Sequence, residues 1–236
     1  MPAHIGIVAG SAEGAALCYR TICTEGGALL GTHAHPELSM HTHSLADYMS
    51  CVHRGDWRGV GELMLASGNK LAAIGAEFLI CPDNTFHQGL PYIEARSPRP
   101  WLHIADVVVA EAVARGFRRL GVLGTRWLVV SSVYPDRLMA AGVDYVLPDV
   151  DERTAISRII MDELVCGVFT PEAIAYHQRV IARLRDAGCD AVVLGCTEIP
   201  LIISDANSPL PTLDSTRLLA RAALRRACTE SQALPA

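Results

Sequence analysis

The sequence predicts an α/β protein of two pseudosymmetric lobes, each a parallel sheet flanked by helices, with the active site in the cleft between them. Three observations carry this. Short apolar runs alternate with helix-period stretches from one end of the 236 residues to the other, the pattern of parallel sheets covered on both faces. The segment Leu71-Ala-Ala-Ile-Gly75-Ala-Glu77-Phe-Leu-Ile-Cys81-Pro-Asp83-Asn84-Thr85 lies over Leu184-Arg-Asp-Ala-Gly188-Cys-Asp190-Ala-Val-Val-Leu-Gly-Cys196-Thr197-Glu198 without a gap, so that helix end, glycine cap, acidic residue and buried strand all correspond. At nearly the same offset, Ile5-Gly6-Ile7-Val8-Ala9-Gly10 lies over Leu120-Gly121-Val122-Leu123-Gly124-Thr125.

The elements follow in order. Apolar runs place strands at His4–Val8, Glu37–His41, Phe78–Cys81, Trp101–His103, Leu120–Leu123, Asp144–Leu147 and Ala191–Leu194. Between them, apolar residues recur at helical spacing over Gly14–Thr24, Asp47–Val52, Asp56–Ile74, Ile104–Arg115, Val133–Ala140, Glu152–Leu164, Pro171–Ala187 and Thr216–Ala227. Pro, Ser and charge replace the apolar rhythm at Glu94–Pro100 and Ser204–Asp214, which marks these as hinge candidates. The expected division is a first lobe of residues 1–97 plus 213–228 and a second of 98–212. The tail after Cys228 is expected to fray.

Half the residues are apolar and 19% are charged, which excludes disorder, coiled coil and collagen. A net charge of -5, spread without a basic block, argues against a nucleic-acid partner. No apolar run reaches the roughly 18 to 20 residues that span a bilayer, and no cationic segment precedes the first apolar stretch. A cytoplasmic protein with no membrane partner is the expectation. The eight cysteines include no C-x-x-C pair and read as thiols, most of them small core residues.

Ligands of open parallel sheets sit beyond the carboxyl ends of the strands, so Ser11, Asp83, Thr125 and Cys196 are expected to converge on the cleft. One titratable side chain from each half can address one substrate carbon from two sides, the geometry needed to invert it. A thiol suits this near neutral pH, and a carboxyl serves where a dry site raises its pKa. Ionised Asp83 with thiol Cys196 is favoured over the reverse by roughly 6 kcal/mol from the ordinary pKa values, so an apolar pocket around Asp83 is expected. Asn84, Thr85 and Thr197 supply amides and short polar side chains at the same turns to hold the carbanion.

The motif Leu194-Gly-Cys196-Thr197-Glu198-Ile-Pro200, together with Asn84-Thr85-x-His87, Gly121-Val-Leu-Gly124-Thr125 and Ile5-Gly-Ile-Val-Ala-Gly10, closely resembles the aspartate/glutamate racemase family. The likeness reaches through Asp214-Ser-Thr216-Arg-Leu. That family also contains hydantoin racemases, maleate isomerases and arylmalonate decarboxylases. The resemblance implies an isomerase that holds a small amino acid or dicarboxylate between its lobes, without pyridoxal phosphate, metal or other cofactor. Relatives are often dimers, so the resemblance also suggests a homodimer. It implies Cys196 as one acid/base. The family usually reads Cys-Asn-Thr where this chain reads Asp83-Asn84-Thr85, which leaves three readings of the other: Asp83 itself, Cys81 two residues upstream, or one working thiol doing a one-sided reaction. The adopted reading is 1,1-proton transfer between Asp83 and Cys196. The alternatives are cis-trans isomerisation or decarboxylation of a small dicarboxylate through Cys196, and a ligand-binding relative without catalysis.

Around this pair, Thr42 and His43 are taken as specificity contacts at the end of the second strand, and Ser11 and Thr125 as carboxylate holders. No arginine in that segment reads a side-chain carboxylate. His87 orients Asp83 or the substrate, or is a satisfied core histidine. Glu198 is a base partner of Cys196 or a stabilising helix-start carboxylate. Arg126 and Trp127 close the cleft or lie on the surface. The pairs His33/His35 and His41/His43 have a spacing that suits zinc, but no supporting carboxylates accompany them, and no metal is expected. Gly6-x-x-x-Gly10-x-x-x-Gly14 lacks the signatures of a nucleotide loop.

Overall fold

A computed structural model of the chain describes residues 1–230. The chain forms two compact units, one of Met1–Ile104 with the chain from Thr216 onward, the other of Ala105–Ser215.

The first unit contains β1 (Ile5–Ala9), α1 (Ala12–Leu30), β2 (Leu38–Thr42), α2 (Leu45–His53), α3 (Trp57–Ala73), β3 (Phe78–Ile80) and β4 (Trp101–Leu102). Its parallel sheet has the order β2-β1-β3-β4, with Ala9 opposite Thr42 and Ile7 opposite Ile80. The central strand β1 is buried throughout, as its unbroken apolar run requires. Gly6 lets helix and strand close on it, since a Cβ there would lie 2.7 Å from Leu79 Cδ2 and 3.0 Å from Ala76 Cβ. The first helix runs six residues past the expected Thr24. Gly26 does not stop it, because the bare backbone there packs against Ala34 and His35, leaving 2.8 Å where a side chain would begin.

The second unit contains α4 (Ile104–Ala114), β5 (Arg119–Leu123), α5 (Arg126–Val129), α6 (Pro135–Ala140), β6 (Asp144–Val146), α7 (Val150–Asp162), α8 (Pro171–Asp186), β7 (Ala191–Leu194) and β8 (Thr212–Asp214). Its sheet is again parallel, in the corresponding order β6-β5-β7-β8. Leu123, Ile156, Ile160, Val180, Leu184 and Leu194 are among its core residues. Two expectations need correction. The stretch Ser204–Asp214, read as a break, ends in the edge strand β8, pinned by Asp205 Oδ1, which accepts from Thr212 N (2.7 Å) and Oγ1 (2.8 Å). Helix α7 starts two residues before Glu152, because Asp149 and Glu152 form a reciprocal capping box.

The last helix, α9 (Ser215–Glu230), returns to the first unit. Ala3 N–H donates to Ala227 O (2.9 Å), and Arg221 pairs with Glu25 (2.8 Å). The helix continues past Cys228, and the rest of the tail expected to fray lies outside the described residues. No helix among the described residues is long and apolar enough to cross a membrane.

Candidate active site

In the first unit the register of the sheet brings the ends of β1, β2 and β3 to one edge. Ser11 follows β1 and caps α1, its Oγ accepting from Gly14 N–H at 3.3 Å. Asp83 follows β3 and is half-buried. Its Oδ1 accepts from Phe86 N–H at 3.2 Å. A Cβ on Gly10 would stand 3.0 Å from Asp83 Oδ2 and 2.6 Å from Phe86 Cε2, so the bare backbone of Gly10 is the floor beneath this carboxylate. Asn84 and Thr85 are buried and open the 3-10 turn Thr85–Tyr92.

Cys81 points into the interior and is fully buried. Burial first, then the Asp83 carboxylate, pushes its thiol well above the usual range, which leaves no accessible thiolate at this strand end. His87 is also buried, and its Nε2–H donates to the Cys81 carbonyl at 3.0 Å while its ring meets His103 edge-on at 4.2 Å. It holds the backbone that carries Asp83. Thr42 is exposed, and its hydroxyl donates within the strand end to His43 O (2.7 Å). The His43 ring lies edge-on between His41 (5.0 Å) and Tyr48 (6.4 Å).

The second unit repeats the arrangement with a thiol. Gly195 N–H donates to Leu123 O (2.9 Å), and a Cβ on Gly124 would meet Gly195 O at 3.2 Å, so two side-chain-free backbones bring the ends of β5 and β7 together. Thr125 caps α5 through Oγ1 from Leu128 N–H (3.3 Å). Cys196 is 8% exposed and Glu198 2%. The thiol of Cys196 donates to Glu198 Oε2 at 2.9 Å, and the Thr197 hydroxyl donates to the same oxygen at 3.1 Å. A buried carboxylate thus holds the thiol proton, in the manner of a nucleophile and its adjacent base. Arg126 lies over the Trp127 ring (4.5 Å), and its amide donates to Ser157 Oγ (3.2 Å).

Sequence reasoning missed Gly10 and Phe86, which stand beside the Asp83 carboxylate. A glycine at the end of β1 was the available signal, but its neighbour 73 residues away is set by the sheet. Both nitrogens of His41 are occupied, by Ser67 Oγ and Lys70 Nζ at 2.9 Å each. Among the described residues no group of three or more His, Cys, Asp or Glu is placed to hold a metal ion.

Two like-ordered parallel sheets, each with a titratable side chain beyond its third strand, define a duplicated α/β protein. Residues 11–223 match the profile of the Asp/Glu/hydantoin racemases, and the chain belongs to that family. It is 30% identical to a Yersinia pestis protein provisionally described as an Asp/Glu racemase, covering 95% of this chain and 99% of that one with a TM-score of 0.85. An aspartate racemase homologue from Pyrococcus horikoshii is 26% identical, with 96% and 99% covered and a TM-score of 0.82. The broad-specificity amino-acid racemase RacX of Bacillus subtilis is 23% identical over 155 residues, 64% of this chain and 65% of RacX. Relatives of this kind are racemases, and racemases are isomerases.

Proposed function

We propose that the protein is an amino-acid racemase or epimerase that inverts a carbon by 1,1-proton transfer between Asp83 and Cys196, with no cofactor required. The observation that carries this reading is chemical equivalence of position. The strand ends of two sheets of the same order carry one proton-exchanging group each, and the thiol already has a carboxylate partner 2.9 Å away. RacX and the aspartate racemase homologue support the same class of reaction.

In the resting form Asp83 is ionised and the Cys196–Glu198 pair carries its proton. The carboxylate of Asp83 takes the α-proton from one side of a small amino acid or amino-acid derivative. Backbone amides and the short polar side chains Asn84, Thr85 and Thr197 stabilise the carbanion. The thiol of Cys196 returns a proton to the other side. The opposite direction starts from the form this leaves, with Asp83 protonated and Cys196 a thiolate: the thiolate abstracts the α-proton from its side, Asp83 donates its proton to the other, and the resting form is restored. Ser11 and Thr125 offer their hydroxyls to the substrate carboxylate, and Thr42 and His43 contact the side chain. His87 holds the Asp83 turn.

Incubation of the full chain with amino acids in heavy water tests the reading. Deuterium is expected at the α-carbon of recovered substrate, and Cys196→Ser, Asp83→Asn and Glu198→Gln should each slow exchange by about 10²- to 10⁴-fold. Full exchange in both Cys196→Ser and Asp83→Asn would sink the assignment. A changed carbon skeleton or double bond, without α-label, would point to decarboxylation or cis-trans isomerisation instead.

A further inference from the structure

Asp83 and Cys196 open corresponding turns, yet the turns hold them in opposite senses. After Cys196, the amide three residues on, Ile199 N–H, donates to the Cys196 backbone carbonyl at 3.2 Å, and the thiol itself donates, to Glu198 Oε2 at 2.9 Å. After Asp83, the amide three residues on, Phe86 N–H, donates to the side chain, with Oδ1 at 3.2 Å. The difference follows from the two side chains: a carboxylate accepts readily from an amide of the turn it begins, whereas a thiol is a weak acceptor. The backbone bonding of the Thr85–Tyr92 turn starts one residue later, from His87 N–H to Asn84 O at 3.3 Å, so the Phe86 amide is spared for Asp83.

This amide is aimed by its own side chain. Phe86 is 2% exposed, and its ring stacks on Tyr48 with centroids 4.2 Å apart and planes 18° from parallel. The rim of the same ring reaches the backbone of Gly10, where a Cβ would stand 2.6 Å from Phe86 Cε2 and 3.0 Å from Asp83 Oδ2. Further along, the turn is seated backbone to backbone on α3, since a Cβ on Gly89 would stand 2.7 Å from Gly61 N and 3.1 Å from Trp57 O. A ring packed on its face and its rim, in a turn fitted this closely to a helix, gives the Phe86 N–H one direction.

We propose that Phe86 is a positioning residue for Asp83: its amide fixes one oxygen of the ionised carboxylate, and its ring fixes the amide. A hydrogen bond to the charged form favours that form. The contact that orients the carboxylate therefore also keeps it a base until it takes the α-proton. The inference rests on the reading of Asp83 as an acid/base.

The first measurement needs no substrate. In the full chain labelled with nitrogen-15, and with carbon-13 at aspartate carboxyls, the Phe86 amide resonance is followed by NMR from about pH 7.5 down to about 3, a range that spans an ordinary carboxyl. It is expected to move with the same midpoint as the Asp83 carboxyl carbon, and that movement should vanish in Asp83→Asn, which also assigns the carboxyl signal. Cys81, Tyr48, His87 and His103 are further titratable groups around this turn, and Asp83→Asn leaves them in place, which separates their effect from that of the carboxylate. A Phe86 amide that ignores the Asp83 midpoint would overturn the proposal. Phe86→Leu keeps the amide and the apolar character but loses the stacked ring. Hydrogen exchange at residue 86 is then expected to quicken about tenfold, and kcat for α-proton exchange to fall about tenfold with KM unchanged. Amide protection and kcat that both stay at the parent values in this variant would equally overturn it. A titrating, ring-dependent amide together with full α-proton exchange in Asp83→Asn would keep Phe86 as the holder of this carboxylate and remove the catalytic role of Asp83, so the two failures are distinct.

Discussion

Gly10 ends β1 at a point where hydrogen is the largest substituent that fits. Its missing Cβ lies 2.6 Å from the Phe86 ring and 3.0 Å from the Asp83 carboxylate, and no rotation of either group alone clears both. Gly10→Ala is expected to destabilise the fold by about 1–3 kcal/mol. It should also slow α-proton exchange by about 10²-fold, because a displaced Asp83 no longer meets the substrate in line. Thermal unfolding and heavy-water exchange on one preparation check both, and full activity in a folded variant would contradict the role given to this floor. Cys196 and Glu198 show the same dependence on a single contact. They are two residues apart, yet their side chains meet at 2.9 Å because the chain turns immediately after β7, where Ile199 N–H donates to Cys196 O at 3.2 Å.

At the scale of elements, α8 illustrates how pattern, burial and titration join. Ala173, His177, Val180, Ile181 and Leu184 form its buried face at helical spacing, and Thr170 caps it by accepting from Ala173 N–H at 3.1 Å. His177 sits in that apolar stripe with Nδ1–H donating to Ala173 O at 2.8 Å and Nε2 buried without a partner. Burial, the largest effect, lowers its pKa, so the folded state holds it neutral. The unfolded chain binds the proton more readily, and stability therefore rises with pH between the lowered folded value and the ordinary 6.5. It is lost as pH falls through that window. Unfolding midpoints measured from pH 7.5 down to about 4.5 should fall less steeply for His177→Leu than for the parent chain. Identical slopes would mean that this ring does not titrate on unfolding.

At the scale of the whole molecule, each unit has its own sheet and core, and the first is closed by chain from both ends. Helix α9 packs Leu219, Ala220, Ala223 and Ala227 inward, and Arg226 lies over the Phe78 ring of β3 at 4.5 Å. Leu219→Ala should cost about 2–5 kcal/mol, all of it in the unit that α9 completes. Hydrogen exchange locates the loss. Amides of β1 (Ile5–Ala9) are expected to lose protection while those of β5 (Arg119–Leu123) keep it. Equal loss in both sheets would show that the two units unfold as one.

The sequence by itself determined the class of fold and the motifs at the strand ends. Buried parallel strands read as continuous apolar runs, helices as 3.6-residue stripes, and the repeat aligns Asp83 with Cys196, because these signals are local or periodic. It also contained the family likeness, through Gly-Cys196-Thr197-Glu198 and Asn84-Thr85. Only the tertiary structure decided that Cys81 is a sealed core thiol, that Gly26 continues a helix, that Thr212–Asp214 forms an edge strand, and that the bare backbone of Gly10 lies against Asp83 and Phe86. Each of those depends on atoms far apart along the chain. A residue's spacing says which face it shares with its neighbours, whereas burial and unshared space are properties of what the rest of the fold packs against it.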